Sequence, residues 1–554
     1  MSAANITFFP IDLRTGLAYN DREKESGGEA AMRKCTMLFA ISLVLLAGCA
    51  CSRDLVPDNI LEGLYKPVIH SITPTTIRVS GAGFYLSVIL PSAADADDQY
   101  VLYINDRKVG QINRGDPQYG GPGNFDWLQV GWMVPKELLN QLLAQPPSSG
   151  TFSVRVTGIN EDYDISGDFE KYRDYVSEPV AIEIRKGETQ FSEAKQLFPE
   201  WTHSREPVIR CDPQGNIYLA WLEKLNDVYQ AFFSFSADGG ETWSQVLNIS
   251  RSTVAVDQVD LVADGSGHFY MAWTASDNQG SDVYFCRSLD SGATWNFPVR
   301  MNTDVKYAQT PSLQVSERGD IYLAWTHWNY PETPDVYLAV SHDLGKTWNR
   351  RLFDLPGAYG NWRPLLGSQA GGRVFLFNGR SESSNDLIFD IHSSQDYGNT
   401  WQAQEANVGD AYPLEEHPLL RFGPGSQLYL TWSGISYAGR QVSLWNYFLR
   451  RESTGKWAAI QNLRDLWSSN SSHIALSVSG ESVDVASTGT GCLFLVRSGD
   501  EGRSWPVPET IAGSEGYNIS GWQDMVVHLA GKTFLVFVRK TTTADGGLYL
   551  IYFK

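Results

Sequence analysis

The chain has 554 residues, of which 42% are hydrophobic and 12% aromatic; this is too long for one hydrophobic core and suggests two or three domains. With 44 Lys and Arg against 63 Asp and Glu, the net charge of −19 disfavours binding to the phosphate backbone of nucleic acid. The 18 Trp and 50 Gly residues suit many short strands and tight turns, and the six cysteines show neither a disulfide framework nor a zinc-site spacing. We therefore predict an all-β protein with no cofactor, no metal and no nucleic-acid partner.

The first predicted element in the chain is a targeting segment. Residues 32–48 carry Arg33 and Lys34 ahead of an apolar run, which is too short to span a bilayer comfortably and matches the hydrophobic region of a signal peptide. The run ends in Leu46-Ala47-Gly48-Cys49, which resembles the lipoprotein box of bacteria, in which the cysteine receives lipid and becomes the mature N-terminus. A plain secretory signal with an incidental cysteine is the alternative.

The resemblance to bacterial lipoproteins implies a cellular location for the protein. Residues 1–31 are polar and precede the charged segment, so we interpret them as a non-native upstream extension, followed by the signal peptide at 32–48 and a tether at 49–65. Cys49 would be the lipidation site, and its lipid would anchor the chain to a membrane. Ala50 follows it in place of the family's inner-membrane retention Asp. We therefore expect a protein of the bacterial cell envelope, at the outer membrane or cell surface.

Residues 66–186 form the next predicted domain. It opens with the run PVIHSITP from Pro67 and continues with Gly81-Ala82-Gly83-Phe84, and apolar positions alternate in Thr151–Thr157 as in a half-buried strand. These segments resemble the IPT/TIG domain, an immunoglobulin-like β-sandwich. The resemblance implies a spacer or an interaction domain, so we expect no chemistry from it and a protein partner if it binds anything.

Residues 190–554 are dominated by a repeated eight-residue motif, S-x-D-x-G-x-[TS]-W. Its closing tryptophans are spaced by 52, 53, 53 and 104 residues, the last interval being two periods with one degenerate copy near Trp457. A fixed period of this size indicates a repeat architecture. The five copies are Ser236–Trp243, Ser288–Trp295, Ser341–Trp348, Ser394–Trp401 and Ser498–Trp505.

The motif resembles the Asp box, or bacterial neuraminidase repeat, of sialidase-like β-propellers, and the resemblance implies a propeller over residues 190–554 with the boxes on its outer rim. The Asp accepts hydrogen bonds from its own tight turn, the Gly adopts a backbone conformation closed to other residues, and the Trp anchors the turn with its indole N–H bonded. We therefore assign a structural role to the Asp of each motif: Asp238, Asp290, Asp343, Asp396 and Asp500.

The number of blades follows from counting strands. Seven successive triplets begin near Pro207, Val259, Pro311, Pro364, Pro418, Ile474 and Met525. We therefore predict seven blades, with six, the number in sialidases, as the alternative. Residues 191–198 resemble the segment that follows each motif and would supply the missing outer strand of the final blade. This arrangement closes the ring and removes sheet edges.

The resemblance to sialidases extends only partly to their catalytic residues. Glu206 stands where the family's Arg-Ile-Pro start has Ile, and Trp522 stands where its nucleophilic Tyr is expected. Asp227 falls near the family's acid/base Asp, but an Asp recurs at the same place in later repeats. The catalytic residues are therefore unknown, and the candidates are Asp227, Glu415, Glu416 and Asp524.

Loops on one face of the predicted propeller bring arginines and aromatic residues together at its axial mouth. Guanidinium groups bind carboxylates through paired hydrogen bonds, and flat aromatic rings offer the apolar faces that stack on sugars. We therefore predict a ligand site formed by Arg205, Trp328, Tyr330, Trp362, Arg363, Arg380, Arg440 and Trp522.

Together these features predict a cell-envelope lipoprotein whose sialidase-like propeller recognises a glycan at its axial mouth. Whether the glycan is also hydrolysed stays open, and an enzyme of this kind would be a glycoside hydrolase. One alternative is a non-enzymatic protein-interaction or assembly lipoprotein that uses the propeller as a binding platform. A second alternative is an exo-α-sialidase with a divergent site.

Overall fold

The computed structural model describes residues 69–554 apart from several segments. Residues 67–554 cluster into one compact unit. Cys49 and the predicted signal peptide and tether lie outside the described residues. The segments not described within 69–554 are 70, 74–75, 80–83, 92–98, 106, 114–126, 144–148, 158–176, 187–188, 213, 304–306, 329–333, 354–362, 384–385, 411–413, 439–440, 464–465, 467–473, 490–491, 512–517, 528–530 and 541–545.

Two sheets and one helix make up the N-terminal region. Its elements are β1 (Ser71–Thr73), β2 (Thr76–Val79), β3 (Phe84–Pro91), β4 (Gln99–Ile104), β5 (Arg107–Asn113), β6 (Trp127–Val134), α1 (Lys136–Leu143), β7 (Ser149–Thr157) and β8 (Val180–Lys186). One sheet has the order β1-β3-β6, and the other contains the run β2-β8-β7-β4-β5. Leu86, Leu139 and Ile184, from both sheets and the helix, share one hydrophobic core, so this region is a β-sandwich.

The first three repeats form three four-stranded antiparallel sheets, named blades 1 to 3. Blade 1 contains β10 (Ser204–Cys211), β11 (Ile217–Leu225), β12 (Val228–Ser236) and β13 (Leu247–Asn248); blade 2 contains β14 (Ala255–Ala263), β15 (Phe269–Asp277), β16 (Gly280–Ser288) and β17 (Val299–Arg300); blade 3 contains β18 (Ala308–Val315), β19 (Ile321–His327), β20 (Asp335–Ser341) and β21 (Asn349–Phe353).

The remaining repeats form blades 4 to 6 and one shared unit. Blade 4 contains β22 (Leu365–Gln369), β23 (Arg373–Ser383), β24 (Asp386–Ser394) and β25 (Gln402–Asp410); blade 5 contains β26 (Leu414–Phe422), β27 (Leu428–Ala438), β28 (Gln441–Arg451) and β29 (Gln461–Asn462); the shared unit contains β30 (Ile474–Ser479), β31 (Ser482–Gly489), β32 (Cys492–Ser498) and β33 (Glu509–Thr510); blade 6 contains β34 (Asn518–Val527), β35 (Thr533–Lys540), β36 (Gly547–Phe553) and, from the start of the propeller, β9 (Lys195–Leu197).

These units stand side by side around an axis. The first strand of each unit adjoins the first strand of the next, from β10 through β30 to β34 and back to β10. The second strands of blades 1 to 3 are apolar on both faces because neighbouring sheets cover them, and their Trp221, Trp273 and Trp325 are buried. The nearly all-β class and the β-propeller are thus confirmed.

The propeller has six separate blades, so the alternative count applies and not the predicted seven. Six units are separate four-stranded sheets, which is the alternative count. The further group of strands that gave the count of seven is present as the shared unit, but it belongs to a nine-stranded sheet that continues into the sandwich. The ring closes as expected, because β9 pairs antiparallel with β36 and joins Leu197 to Leu548.

The junction between sandwich and propeller is a continuous sheet. Strand β2 pairs in parallel with β33, and Arg78 N donates to Pro508 O at 3.0 Å. Thr189 donates through its N–H and its hydroxyl to the Glu509 carboxylate, at 3.1 and 2.8 Å. One hydrophobic core runs from the sandwich into blade 5 and the shared unit. The sequence gives no sign of this junction.

Each eight-residue motif forms a hydrogen-bonded turn, shown here for Ser341–Trp348. Ser341 Oγ donates to Asp343 Oδ1 at 2.8 Å, and Gly345 N donates to Ser341 Oγ at 2.8 Å. Thr347 donates to both carboxylate oxygens, from its N–H at 2.8 Å and its hydroxyl at 2.6 Å. Gly345 has a φ of 79°, and a Cβ there would meet Phe285 at 2.9 Å. The other four motifs repeat the Ser and Asp bonds.

The tryptophan of each motif packs against another blade. The ring of Trp348 in blade 3 meets Phe285 of blade 2 at 4.9 Å between centroids, edge to face. Trp401 and Trp505 donate their indole N–H groups, as expected. The same expectation is wrong for Trp243 and Trp295, whose buried indole nitrogens find no partner among the described residues. These two rings anchor by packing alone.

Candidate functional site

The inner strands of blades 1 to 3 are each interrupted near their starting ends by a β-bulge. At the bulges stand Glu206, Gln258 and Thr310, with φ values of 49°, 56° and 55°, which residues other than glycine rarely adopt. Thr310 N donates to Gln258 Oε1 at 2.9 Å, and the backbone of Gln258 bonds to the Glu206 carboxyl. Bulges re-aim side chains and are frequent beside functional sites. The three bulges therefore form a linked series at one end of the axis.

A cavity of about 350 Å³ lies on the axis of the propeller. Residues from the first strand of every unit line it, so the ring of inner strands forms its wall. Its volume falls within the range of roughly 300–1,000 Å³ that small-molecule sites occupy. Its charged lining residues are Glu206, Arg210, Asp260, Arg363, Arg421 and Asp524.

Asp524 of blade 6 lies at the centre of the buried charges. Its carboxylate accepts from Arg210 Nη1 at 2.7 Å and from Arg421 Nη2 at 3.1 Å. It also accepts from the backbone N–H groups of Ile209, at 3.1 Å, and Met525, at 2.8 Å. Two guanidinium groups and two amides thus share its acceptor sites, which fix the side chain in place.

Asp260 of blade 2 holds the place equivalent to Asp524 in its own inner strand. It accepts from Arg210 Nη2 at 3.1 Å and from Leu313 N, in the next blade, at 2.8 Å. The equivalent residue of blade 3, Ser312, accepts from Leu366 N at 3.2 Å. The position therefore joins neighbouring inner strands, and the two aspartates add charge to that structural role. We name Arg210, Asp260, Arg421 and Asp524 the axial cluster.

The electrostatics of the axial cluster shift the pKa values of its two arginines in opposite directions. Burial acts to lower the pKa of Arg210, but the carboxylates of Asp524 and Asp260 outweigh burial and raise it above its ordinary value. Burial lowers the pKa of Arg421, and the nearby Arg210 acts in the same direction, whereas the carboxylates of Asp524 and Asp260 act to raise it. The cluster thus carries two positive and two negative charges and forms a neutral group within the cavity wall.

At the mouth, an arginine and an aspartate from neighbouring blades form an ion pair. Arg205 Nη2 lies 2.6 Å from Asp257 Oδ1 and 3.3 Å from Val256 O, and its guanidinium covers the ring of Tyr229 at 3.6 Å from the centroid. Arg205 is thus held by protein groups on several sides. It braces blade 1 against blade 2.

Glu206 is half-buried beside this pair. Burial raises the pKa of its carboxyl to about 7, while Arg205 and Arg363 act to lower it and Asp257 acts to raise it. Near neutral pH the carboxyl therefore exists in both protonated and ionised forms. Such a group can donate or accept a hydrogen bond at the cavity wall.

The predicted ligand residues are placed as follows. Arg363 lines the cavity and donates to Pro311 O at 3.3 Å. Trp328 is 43% exposed, and its backbone N–H donates to Tyr307 O at 3.1 Å. Arg380 and Trp522 lie on β23 and β34, but the structure does not describe their side chains. Three residues lie outside the described part of the chain: Tyr330, Trp362 and Arg440.

The candidate catalytic carboxylates do not come together among the described side chains. Asp227 sits in the turn between β11 and β12, is 96% exposed, and lies 3.3 Å from Lys224 Nζ. Asp524 belongs to the axial cluster. Glu415 and Glu416 lie on β26, where side chains are not described. Within the described ranges, no group of three or more His, Cys, Asp or Glu could hold a metal ion.

Three members of the axial cluster, Arg210, Asp260 and Arg421, were not among the predicted site residues, although the repeats contain a signal for them. Arg210 and Arg421 each stand three residues after the proline that begins a predicted inner strand. The second and third repeats have Val262 and Gln314 at this position. Asp260 likewise replaces an apolar or small residue. A charged residue at a place that other repeats keep neutral marks a departure from the repeat, and such departures meet at the axis.

No protein-family model matches this chain, and neither does any curated protein sequence. Among solved structures it is similar to a protein of unknown function from Dyadobacter fermentans, with a TM-score of 0.42 and 14% identity over 66% of this chain and 99% of that one. It is similar to the polysaccharide lyase Uly1, with a TM-score of 0.44 and 12% identity over 63% and 89% of the two chains. The NanB sialidase from Streptococcus pneumoniae gives 0.36 and 11% over 85% and 83%. Likenesses this weak carry no conclusion about activity.

No helix in the described part of the chain is long and apolar enough to cross a membrane.

Proposed function

We propose that the axial mouth of the propeller binds a glycan that carries an acidic group. The observation that carries the proposal is the axial cavity, whose wall presents Arg363 and Glu206 at the end where the inner strands begin. An arginine binds a carboxylate or sulfate of a sugar, and a carboxyl that titrates near neutrality bonds to hydroxyl groups. Trp328 follows β19 at the end of blade 3 where the inner strand begins, and this exposed residue offers a stacking surface.

The axial cluster defines how deep a ligand enters. Glu206 and Arg210 are four residues apart on β10, which corresponds to roughly 10–13 Å along the strand. The paired charges of the cluster therefore form the floor of the site. A ligand of one or two sugar rings fills the space above this floor.

The test is a glycan array with the chain from Ser52, which contains the whole compact unit. Arg363→Ala is expected to weaken binding of acidic glycans at least tenfold because it removes the charged partner. Arg373→Ala is the matched control, since Arg373 is an exposed arginine at the opposite end of the same blade. Absence of any acidic glycan among the ligands, or equal affinity of both variants, would contradict the proposal.

We propose binding without hydrolysis. A retaining or inverting glycosidase needs two carboxyl groups at a fixed separation across the bond that is cut. Among the described carboxylates near Glu206, Asp257 is paired with Arg205, Asp524 with two arginines, and Glu223 accepts from Ser204 Oγ and His203 N, so each of them is already bonded to protein groups. Trp522, in place of the tyrosine that the sialidase resemblance implies, points the same way.

A fluorogenic sialoside at high protein concentration tests the absence of turnover. We expect a rate orders of magnitude below that of a sialidase, because Trp522 occupies the position at which the resemblance places the nucleophilic Tyr. Turnover at sialidase-like rates, abolished by Arg363→Ala, would instead support the exo-α-sialidase alternative.

We also propose that the chain is anchored in a bacterial envelope through Cys49. The support is the sequence around Leu46–Cys49, and the outer membrane or cell surface is the proposed address. Cys49→Ser should move the protein from the membrane fraction to the soluble fraction of a bacterial host. Unchanged membrane association would refute lipidation at this residue.

We also propose two family assignments, one for the motif turns and one for the N-terminal region. The hydrogen bonds of the five motif turns support their assignment as Asp boxes. The two-sheet N-terminal region supports an IPT/TIG-like domain over residues 66–186. A protein partner for that domain remains part of the interaction-platform alternative.

A further inference from the structure

The outer rim of blades 2 and 3 exposes an unusual group of apolar side chains. Phe297 is 78% exposed, Val299 47% and Leu289 41%, all in the segment that runs from the motif of blade 2 to β17. Leu352, on the outer strand of blade 3, is 45% exposed. These are four of the five exposed large hydrophobic side chains in the described part of the chain. Grouped apolar exposure of this kind marks an interaction surface.

One arginine lies near the exposed phenylalanine of blade 2, and another follows its exposed valine in the chain. The guanidinium carbon of Arg251 lies 5.8 Å from the centroid of the Phe297 ring. Arg300 follows Val299 directly on β17 and is also exposed. Phe297 therefore has a cationic neighbour in space, and Val299 has one in sequence.

The outer strand of blade 3 continues the same surface. Arg350 and Arg351 are exposed and directly precede Leu352. Arg350 Nη2 lies 3.3 Å from Thr303 Oγ1, which joins β21 to the segment that follows β17. We name the four apolar side chains and the three arginines Arg251, Arg300 and Arg350 the rim patch.

The charge of the rim patch is opposite to that of the protein. The chain has a net charge of −19, whereas the charged residues of the rim patch are arginines. Asp282 lies 2.8 Å from Arg300 Nη2, and Asp290 is engaged in its motif turn. Asp282 offsets Arg300, and Arg251 and Arg350 supply the positive charge of the rim patch.

Protection of sheet edges explains part of this arrangement but not all of it. Strands β17 and β21 are the outer edges of their blades, and charged side chains there prevent edge-to-edge pairing of sheets. That requirement is met by the arginines. Edge protection does not explain the exposed Phe297, because an exposed apolar side chain increases the tendency of an edge to associate.

We propose that the rim patch docks on an anionic lipid bilayer. Arginines attract anionic headgroups, and their long stems let apolar neighbours reach the acyl boundary while the charges stay in the headgroup layer. Phe297 and Val299 supply the inserted apolar surface, as in interfacial segments that combine aromatic and cationic residues. The charge of the patch selects anionic over neutral lipid, and the phenylalanine selects a bilayer over a soluble polyanion.

Co-sedimentation with vesicles tests the proposal, with the chain from Ser52 so that a lipid anchor at Cys49 is absent. Vesicles of phosphatidylcholine with one third phosphatidylglycerol should bind the protein, and vesicles of pure phosphatidylcholine should bind it at least tenfold less. Raising the salt concentration to 0.5 M should weaken the binding, because it screens surface charge.

Single substitutions identify the surface. Phe297→Ser should lower the partition coefficient roughly tenfold because it removes the inserted ring, whereas Phe297→Leu should retain most of the binding. Arg251→Gln should lower it about fivefold, the effect of about one charge at an anionic surface. Arg373→Gln, an exposed arginine outside the patch, should leave it unchanged.

Several outcomes would overturn the proposal. They are equal binding to neutral and anionic vesicles, no binding at high lipid concentration, or binding that the Phe297 and Arg251 variants retain. Concentration-dependent self-association that Phe297→Ser removes would assign the patch to a second copy of the chain. Glycan binding at the axial mouth is measured without lipid, so failure of either test leaves the other standing.

Discussion

The motif turns on the rim and the axial cluster both consist of aspartates that accept several hydrogen bonds, yet they differ in origin. In the rim turns, the partners of each Asp lie within the same eight residues, as Thr347 does for Asp343. At the axis, the partners of Asp524 come from blades 1 and 5 as well as from its own strand. The rim arrangement recurs five times, whereas the axial one occurs once among the described residues.

This difference shows why some contacts of a repeat protein recur in each repeat whereas others occur only once. A local turn can be copied with its repeat because it carries its own partners. A cluster formed across the ring needs different residues in each blade, so it appears only where the repeats have diverged. Divergence at the axis is therefore the place to look for function, and regularity at the rim the place to look for stability.

The largest expected effect is on the axial cluster. Arg210→Met leaves Asp260 and Asp524 with one charged partner fewer, and the free energy of unfolding should fall by about 3 kcal/mol. This is the low end of the range for breaking a buried ion pair, because the Arg210 side chain is 26% exposed. Urea denaturation measures the change, with Arg373→Met as the exposed control. A loss no larger than that of the control would show that the cluster contributes little to stability.

A substitution in a motif turn on the rim should lower the free energy of unfolding less than one in the axial cluster. Ser341→Ala removes the hydroxyl that accepts from Gly345 N, and because this group is buried the unfolding free energy should fall by about 1–3 kcal/mol. Ser266→Ala, at an exposed serine, serves as the control. Glycan affinity of the folded Ser341 variant should equal that of the wild type. Selective loss of binding with unchanged stability would contradict a structural role for the motif.

Lowering the pH should remove the stability that the motif aspartates contribute, and this effect comes next in size. Hydrogen bonds from Thr242 and Thr400 lower the pKa of Asp238 and Asp396 to about 2, and Thr347 holds that of Asp343 well below its usual range. A folded-state pKa below the unfolded value stabilises the protein above about pH 4, and this contribution is lost as the pH falls toward 2.

The Asp343→Asn variant tests this dependence. It should lower stability at pH 7, because an amide accepts less strongly than a carboxylate, and the difference from wild type should shrink as the pH falls from 4 to 2. Thermal unfolding across this range gives the result. A constant difference at all pH values would mean that the charge of Asp343 is irrelevant.

The smallest expected effect concerns Glu206 at the mouth. Its folded pKa of about 7 exceeds the ordinary value of 4.5 because of burial, so its contribution is most favourable below pH 4.5 and declines as the pH rises through 7. Glu206→Gln should therefore remove a small decline in stability between pH 5 and 8. Parallel pH profiles of wild type and variant would show that the carboxyl titrates normally.

Local and periodic features of the fold could be predicted from the sequence. The strand triplets, the motif turns and the closing strand at 191–198 all follow from a period of 52 to 53 residues, since each depends on neighbours in sequence or on the repeat itself. The pairing of β2 with β33 could not be predicted. It joins two short strands far apart in the chain, and nothing in Thr76–Val79 specifies its partner.

The candidate site was predicted less completely for a related reason. Arg363 was identified because an arginine next to a blade start is visible in sequence, and the structure places it on the cavity wall. The contact of Arg421 with Asp524 spans two units of the ring, so it depends on the diameter and closure of the propeller. Arg205, predicted as a ligand residue, is engaged with Asp257 of the next blade, a partner that appears only when the blades are stacked.

The closing strand also sets the order in which the molecule can be completed. Tyr552 N donates to Ser192 Oγ at 3.0 Å, a contact between residues 360 positions apart. During synthesis, β9 emerges early and finds its partner only after β36 has left the ribosome. Until then blades 1 to 5 exist as an open stack with unpaired strand edges, which are prone to aggregation. We therefore expect a single slow, late step in folding, in which the ring shuts, and a need for chaperones or rapid export before that step.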